Sequence, residues 1–241
     1  MTLEAVIFDV DGTLADTEEA HRQAFNATFN EFGLPWHWDV GLYVELLAVA
    51  GGKERLAHYC RCVDPVRMAQ PDSMAFIAGL HQRKTRIYER RVDMGEVPAR
   101  PGVVRLIREL IEADVRLAIA TTTSRANVEV LLANTLADLP APTFEVMGCG
   151  EQAAAKKPAP DIYRWVLGEL DLPGDACLAI EDSKNGVRAA LGAGIPVLVT
   201  ESSWTRRDDF TGALAVLPDL GSVRFSDLVR WHAESLRVNR R

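Results

Sequence analysis

Only four cysteines occur in the chain, Cys60, Cys62, Cys149 and Cys177, and apart from one Cys-x-Cys they are scattered. That spacing is no disulfide framework and suits a reduced, cytoplasmic protein. No Cys/His pair accompanies Cys60-Arg61-Cys62 to complete a metal site, so packing thiols are expected there. No window approaches the roughly 18 apolar residues of a membrane span. The first residues also lack the basic and apolar pattern of a signal peptide. An excess of positive charge is missing too: 27 Lys and Arg stand against 34 Asp and Glu, a net charge of −7. Nucleic-acid and membrane partners are therefore not expected, and an anionic ligand would need a local basic cluster. There is no internal repeat or low-complexity segment. These absences leave a small molecule as the expected partner of a monomer.

What the 241 residues do contain is 48% apolar side chains, enough for one large domain or a main domain with an insert. The organising stretch is Val6-Ile7-Phe8-Asp9-Val10-Asp11-Gly12-Thr13-Leu14. A short apolar run bounded by turn residues predicts a buried strand over residues 5–8. In an open α/β sheet, ligands bind just outside the carboxyl ends of such strands. Alternation along extended chain would aim Asp9 and Asp11 into one crevice. Two carboxylates there need a metal, a proton or a cation to compensate them.

From about residue 16 to 93 the chain reads as all helical. Helices are predicted from Asp16-Thr17-Glu18 to Gly33, over Leu42–Leu47, from the Gly51-Gly52 turn, and over Met74–Arg91. Phe25, Phe29 and Phe32 recur at helical spacing as a core stripe. The polar stretch 64–72, with two prolines, reads as a loop. Strands and helices alternate after residue 100. An amphipathic helix carries Val103, Leu106, Ile107 and Leu110, and strands are predicted at 115–120, 144–147, 176–180 and 195–199. Helices follow at 125–134, through Ile162–Leu170, and up to Gly194. An edge strand and a terminal helix with Leu228, Trp231 and Leu236 complete the chain. This alternation predicts an α/β fold: a doubly wound, Rossmann-like parallel sheet core (residues 1–15 and 94–241) with an inserted helical cap domain (residues 16–93).

Successive strand ends carry complementary chemistry. The first gives Asp9 and Asp11, and the second the hydroxyls of Thr121, Thr122, Thr123 and Ser124 at a helix start. Lys156-Lys157-Pro158 follows the third, and the fourth ends in Glu181-Asp182-Ser183. Hydroxyls and amides at a helix N-terminus hold phosphate oxygens. A lysine neutralises charge on a transferring group, and carboxylates from two strands can hold Mg²⁺. One Asp can attack phosphorus while the other serves as acid and then base. Each feature alone is an ordinary cap, loop or turn. Their order along four strand ends points to phosphoryl transfer.

Asp9-Val-Asp11-Gly-Thr13, Thr121, Lys157-Pro158 and Glu181-Asp182-Ser183 resemble the four motifs of the haloacid dehalogenase superfamily, across essentially the whole chain. The resemblance implies Asp9 as nucleophile, Asp11 as general acid/base, and Thr121 and Lys157 as phosphate ligands. It implies Mg²⁺ held by the Asp9 side chain, the Asp11 backbone carbonyl and Asp182, with Glu181 nearby. The second Asp is what a true dehalogenase lacks. The insert position resembles the subfamily that includes β-phosphoglucomutase and phosphoglycolate phosphatase.

The insert also holds a basic cluster. Lys53, Arg55, His81 and Lys84 are candidates for a second anion site closing over the core, suited to a bisphosphate sugar. Arg86, Arg90 and Arg91 read as a solvated face. Glu18 with His21, the turn Gly51-Gly52-Lys53-Glu54-Arg55, His81-Gln82-Arg83-Lys84-Thr85 and Trp36-His37-Trp38-Asp39 resemble the CbbY-type sugar bisphosphate phosphatases. Those enzymes hydrolyse xylulose-1,5-bisphosphate, a misfire product and inhibitor of the carbon-fixing enzyme Rubisco. The resemblance implies Glu18, residues 51–55 and residues 81–84 as sugar and distal-phosphate contacts. It implies residues 121–124, Asn127 and Lys157 as contacts of the transferring phosphate. A mutase that returns the phosphoryl group to its substrate remains an alternative on the same motifs. A non-catalytic sugar-phosphate sensor is the alternative from another class.

Overall fold

In the computed structural model, which describes residues 2–238, the elements run β1 (Ala5–Phe8), α1 (Glu18–Glu31), α2 (Val40–Leu46), α3 (Gly52–Val63), α4 (Pro65–Met68), α5 (Ser73–Asp93), α6 (Val103–Glu112), β2 (Arg116–Ala120), α7 (Arg125–Thr135), β3 (Val146–Gly148), α8 (Asp161–Leu170), β4 (Cys177–Glu181), α9 (Lys184–Gly192), β5 (Val197–Thr200), β6 (Val216–Leu217) and α10 (Phe225–Val238). The chain divides into two compact units, Met1–Asp16 with Pro98–Arg241, and Thr17–Val97. No helix among the described residues is long and apolar enough to cross a membrane. All four cysteines are free thiols.

The first unit is built on a parallel sheet of order β3-β2-β1-β4-β5-β6. Its central strands are apolar up to their carboxyl ends because both faces are covered. Ile7, Ala118, Ala179 and Val197 pack with Ile162, Val166, Val187 and Ala190 of α8 and α9. The helix α6 lies against β2 and buries Val103, Leu106, Ile107 and Leu110. Strand order reverses between β1 and β4, and that reversal opens the crevice where such sheets bind ligands.

The second unit is helical. The helix α1 packs along α5, and Phe25, Phe29, Trp36, Trp38, Tyr43 and Tyr59 make a connected aromatic core. The Asn26 amide donates to the Trp38 carbonyl at 2.9 Å and accepts the Trp38 N–H at 2.8 Å, which fixes the Trp36–Asp39 segment across this core.

Four expectations needed correction. The stretch 64–72 contains the short helix α4, because Asp64 accepts the Arg67 N–H at 2.9 Å and Pro65 suits a first helical position. Phe32 lies past the end of α1 and is 46% exposed, so Trp36 and Trp38 complete the aromatic core in its place. β3 begins at Val146, since Phe144 turns its ring onto Phe8. β5 begins at Val197, because Pro196 has no N–H to give the ladder.

Candidate active site

The site grows out of strand register. Phe8 stands opposite Ile119 of β2 and Ile180 of β4, so Asp9, Ala120 and Glu181 occupy the next rung of three adjacent strands. The Lys157 ammonium reaches all three, donating to Asp9 Oδ1 at 2.6 Å, to the Ala120 carbonyl at 2.8 Å and to Glu181 Oε1 at 2.6 Å. A lysine has three donors, and each is used. Lys157 is buried, and Glu181 is completely so. The Tyr163 hydroxyl also donates to Glu181 Oε1, at 2.6 Å, and its ring lies 5.1 Å from the ammonium.

Burial pushes the Asp9 carboxyl up to about 8, against the pull of Lys157 and with added repulsion from Glu181 and Asp11. Burial alone would lower the Lys157 ammonium, but Asp9 and Glu181 outweigh it and hold it raised. The two partners of this ion pair thus shift in ways that favour opposite charge states. We take the lysine as charged, because two carboxylates share it and it makes three hydrogen bonds. Burial, then Glu181, holds the Tyr163 phenol far above its usual range, so it is a neutral donor.

After Asp9 the chain turns. Thr13 and Leu14 donate their N–H groups to the Val10 carbonyl, and Gly12 lies at φ +80°, where only glycine is at ease. The Asp11 carboxylate accepts a hydrogen bond from the Thr123 hydroxyl. The Thr121 hydroxyl accepts the Thr123 N–H at 3.1 Å, and Gly150 donates to the Thr123 carbonyl at 2.8 Å, so the turn after β2 is pinned on both sides. Thr122 and Ser124 are half-buried beside it, and Ser124 occupies the N-cap of α7. Asn127 is buried in the first turn of α7, its Oδ1 without a partner.

Carboxylate oxygens of Asp9, Glu181 and Asp182 lie within 4.8 Å of one another, and the cluster could hold a metal ion. Two features fit a hard divalent cation. The donors are all carboxylate oxygens, and buried Glu181 Oε2 has no hydrogen-bond partner. Sequence reasoning missed Tyr163, which sits in α8 among apolar positions and has no motif around it. It also missed Gly186, where a Cβ would stand 1.8 Å from Glu181 Oε2. Only the closeness of the packing reveals either.

The helical unit gathers several of its expected residues around the Phe25 ring. Lys84 is buried with its ammonium 2.7 Å from His21 Nδ1 and 4.9 Å from the Phe25 centroid. His21 stacks on Tyr88 at 3.9 Å. Glu18 accepts the Tyr43 hydroxyl at 2.7 Å, and Arg55 donates to that hydroxyl at 3.1 Å and to the Leu46 carbonyl. A Cβ at Gly52 would meet His81 Nε2 at 2.7 Å and Phe25 at 3.5 Å, so Gly52 admits both rings. Gly51, at φ +91°, turns the chain into α3. Lys53, Glu54 and Gln82 are exposed, and Arg83 is paired with Glu31 through two nitrogens.

A doubly wound sheet with carboxylates, hydroxyls and a buried lysine at its switch point defines a class of hydrolases. Residues 3–194 match the haloacid dehalogenase-like hydrolases, and the chain belongs to that family. Among its relatives, a plasmid-borne CbbY protein of Cupriavidus necator is 54% identical over 91% of this chain and 86% of its own length. The crystal structure of CbbY from Rhodobacter sphaeroides with phosphate has a TM-score of 0.86 at 45% identity, covering 95% of this chain and 99% of that one. An Asp-to-Asn variant of that protein, solved with xylulose-1,5-bisphosphate, has a TM-score of 0.85 at 43% identity over the same shares. A β-phosphoglucomutase from Clostridium difficile, at 18% identity and TM-score 0.80 over 97% and 99% of the two chains, shares the fold. The family and the CbbY relatives make this chain a phosphatase.

Proposed function

We propose that this phosphatase hydrolyses a sugar bisphosphate, xylulose-1,5-bisphosphate, in a Mg²⁺-dependent reaction through an aspartyl-phosphate. The observation that carries the reading is Lys157, which holds Asp9 on the rung it shares with Glu181. A nucleophile buried and oriented in this way meets phosphorus without reorganising its surroundings. An oxygen of Asp9 bonds to phosphorus as the bond from phosphorus to the sugar oxygen breaks. Protonated Asp11 gives that departing oxygen its proton. Water then attacks phosphorus, Asp11 takes the proton, the bond to Asp9 breaks, and inorganic phosphate leaves. Thr121, Thr122, Thr123, Ser124, Asn127 and Lys157 hold the phosphate oxygens. Asp9, Asp182, Glu181 and the Asp11 backbone carbonyl would hold Mg²⁺, which supplies counter-charge to the phosphate and the carboxylates.

Residues 16–93 serve as the cap of a core formed by residues 1–15 and 94–241. Within that cap Glu18, His21, Arg55, His81 and Lys84 recognise the sugar and its distal phosphate, joined by the Gly51–Glu54 turn, Gln82 and Arg83. Support for this substrate comes from the ligand of the Rhodobacter sphaeroides relative, and from the cationic cluster gathered around Phe25. The enzyme works in the cytoplasm as a monomer. Purified protein with Mg²⁺ should release phosphate from xylulose-1,5-bisphosphate at a kcat/KM at least tenfold above that for any sugar monophosphate, and EDTA should stop it reversibly. Isomerised sugar phosphate without stoichiometric phosphate would show a mutase. No release from any sugar phosphate would leave only binding.

A further inference from the structure

We infer that Arg100 is a positioning residue for Asp11, acting through the Gly12 peptide; the inference rests on the phosphatase reading above. Its Nη1 donates to the Gly12 carbonyl, to the Thr200 carbonyl at 2.9 Å and to Thr200 Oγ1 at 3.3 Å. Its Nη2 donates to the Glu201 and Pro218 carbonyls, each at 2.8 Å. Thr200 ends β5, Glu201 follows it, and Pro218 follows β6. The strand β4 lies between β1 and β5 in the sheet, so one planar cation spans it to tie the turn after β1 to the ends of two other strands. Among the described residues, no carboxylate is one of its hydrogen-bond partners. Arg100 therefore works as a backbone clamp rather than an ion pair, a task for which the rigid guanidinium fork is suited.

The clamp falls on the peptide that governs the acid/base group. Gly12 gives its N–H to the Ala15 carbonyl at 2.9 Å and its carbonyl to Arg100, so both flanking peptide planes are held. Asp11 projects from the residue immediately before. Its carboxylate is held at the other end by the Thr123 hydroxyl, so backbone and side chain are both fixed. On the far side, a Cβ at Gly12 would stand 2.2 Å from Asp182 Oδ2, so a shift of Gly12 also disturbs that carboxylate. Arg100 is itself anchored to the turn it clamps: its N–H donates to the Leu14 carbonyl at 3.0 Å, and the neighbouring Ala99 bridges Ala15.

Asp11 acts twice, giving a proton to the leaving group and later taking one from water, and only the first of these depends on which ester is cleaved. A sugar alkoxide needs that proton, whereas 4-nitrophenolate leaves without it. Arg100→Met and Arg100→Lys should be compared with wild type and Asp11→Asn for kcat and KM on xylulose-1,5-bisphosphate and on 4-nitrophenyl phosphate. Arg100→Met should lose kcat/KM, which reports only the steps up to transfer onto Asp9, about tenfold more on the sugar ester than on the aryl ester. Asp11→Asn should show the same selectivity in larger measure, and Arg100→Lys should recover part of the loss. Equal losses on both esters, or no loss, in a variant that melts like wild type would overturn the inference and leave the phosphatase reading intact. If Arg100→Met does not fold, the same ratio in Arg100→Lys decides. Wild-type protein inactive on both esters would bring down the reading and the inference together.

Discussion

The two charge clusters of this protein are built in different ways. In the sheet unit, Asp9 and Glu181 come from one rung of adjacent strands, and a single lysine is held at 2.6 Å from each. Backbone ladders set those positions, and the tolerance is small. In the helical unit, His21, Arg55 and Lys84 come from three helices and meet around the Phe25 and Tyr43 rings. There the cations rest on aromatic faces, a softer contact that helix packing can adjust. Under the proposed function the difference would suit two tasks. Chemistry on phosphorus needs one fixed geometry, whereas recognition of a sugar could be retuned by side chains on helices.

The largest expected effect comes from the rigid cluster. Asp9→Asn should reduce turnover at least ~10⁴-fold while leaving the fold in place, measured as phosphate release beside a thermal melt. Retained turnover would remove Asp9 from the chemistry. The softer cluster should respond selectively. Lys84→Met should raise KM for xylulose-1,5-bisphosphate about 10- to 100-fold, the worth of one charged hydrogen bond. Its KM for 4-nitrophenyl phosphate, which has no distal phosphate, should change less than about threefold. Equal changes on both would dissolve the division of labour drawn here.

The smallest effect lies away from both clusters. Glu109 is held down to about 2 by the Phe225 N–H, then by Arg224 and Arg105, and so anchors the start of α10. A carboxylate with a depressed folded pKa contributes stability that is present above its unfolded value, about 4.3. That stability fades as pH falls from there towards 2. Discounted for the water around this half-buried group, the contribution is about 1 kcal/mol. Melting temperatures of wild type and Glu109→Gln should therefore differ at pH 6 and converge towards pH 2. A constant gap across that range would contradict the assignment.

Much of the sheet unit is legible in the sequence because its signals are local. The run Ala5–Phe8 stops at a carboxylate, and β2 and β4 likewise end at Thr121 and Glu181, so the strand ends and the chemistry announce each other. What sequence cannot carry is close approach across the fold. Tyr163 reads as one more apolar helix position until its hydroxyl is seen 2.6 Å from Glu181. Arg100 reads as the residue before a Pro-Gly turn until its donors are followed to three separate strand ends. The helical unit is less legible for a related reason. Lys53 and Lys84 look equally promising as cations, yet Lys53 is exposed while Lys84 is buried against Phe25 and Tyr88. Phe32 extends the Phe25 and Phe29 spacing, but the helix ends before it and Trp36 and Trp38 return to the core from the following loop.

The most direct measurement of the central claim is to catch the phosphoryl group on Asp9. Xylulose-1,5-bisphosphate labelled with ³²P at both phosphates, mixed with enzyme and Mg²⁺ and quenched in acid within one turnover, should leave a hydroxylamine-labile label on the peptide that carries Asp9. Asp9→Asn should carry none. Phosphate release without a covalent label, or a label on another peptide, would contradict it.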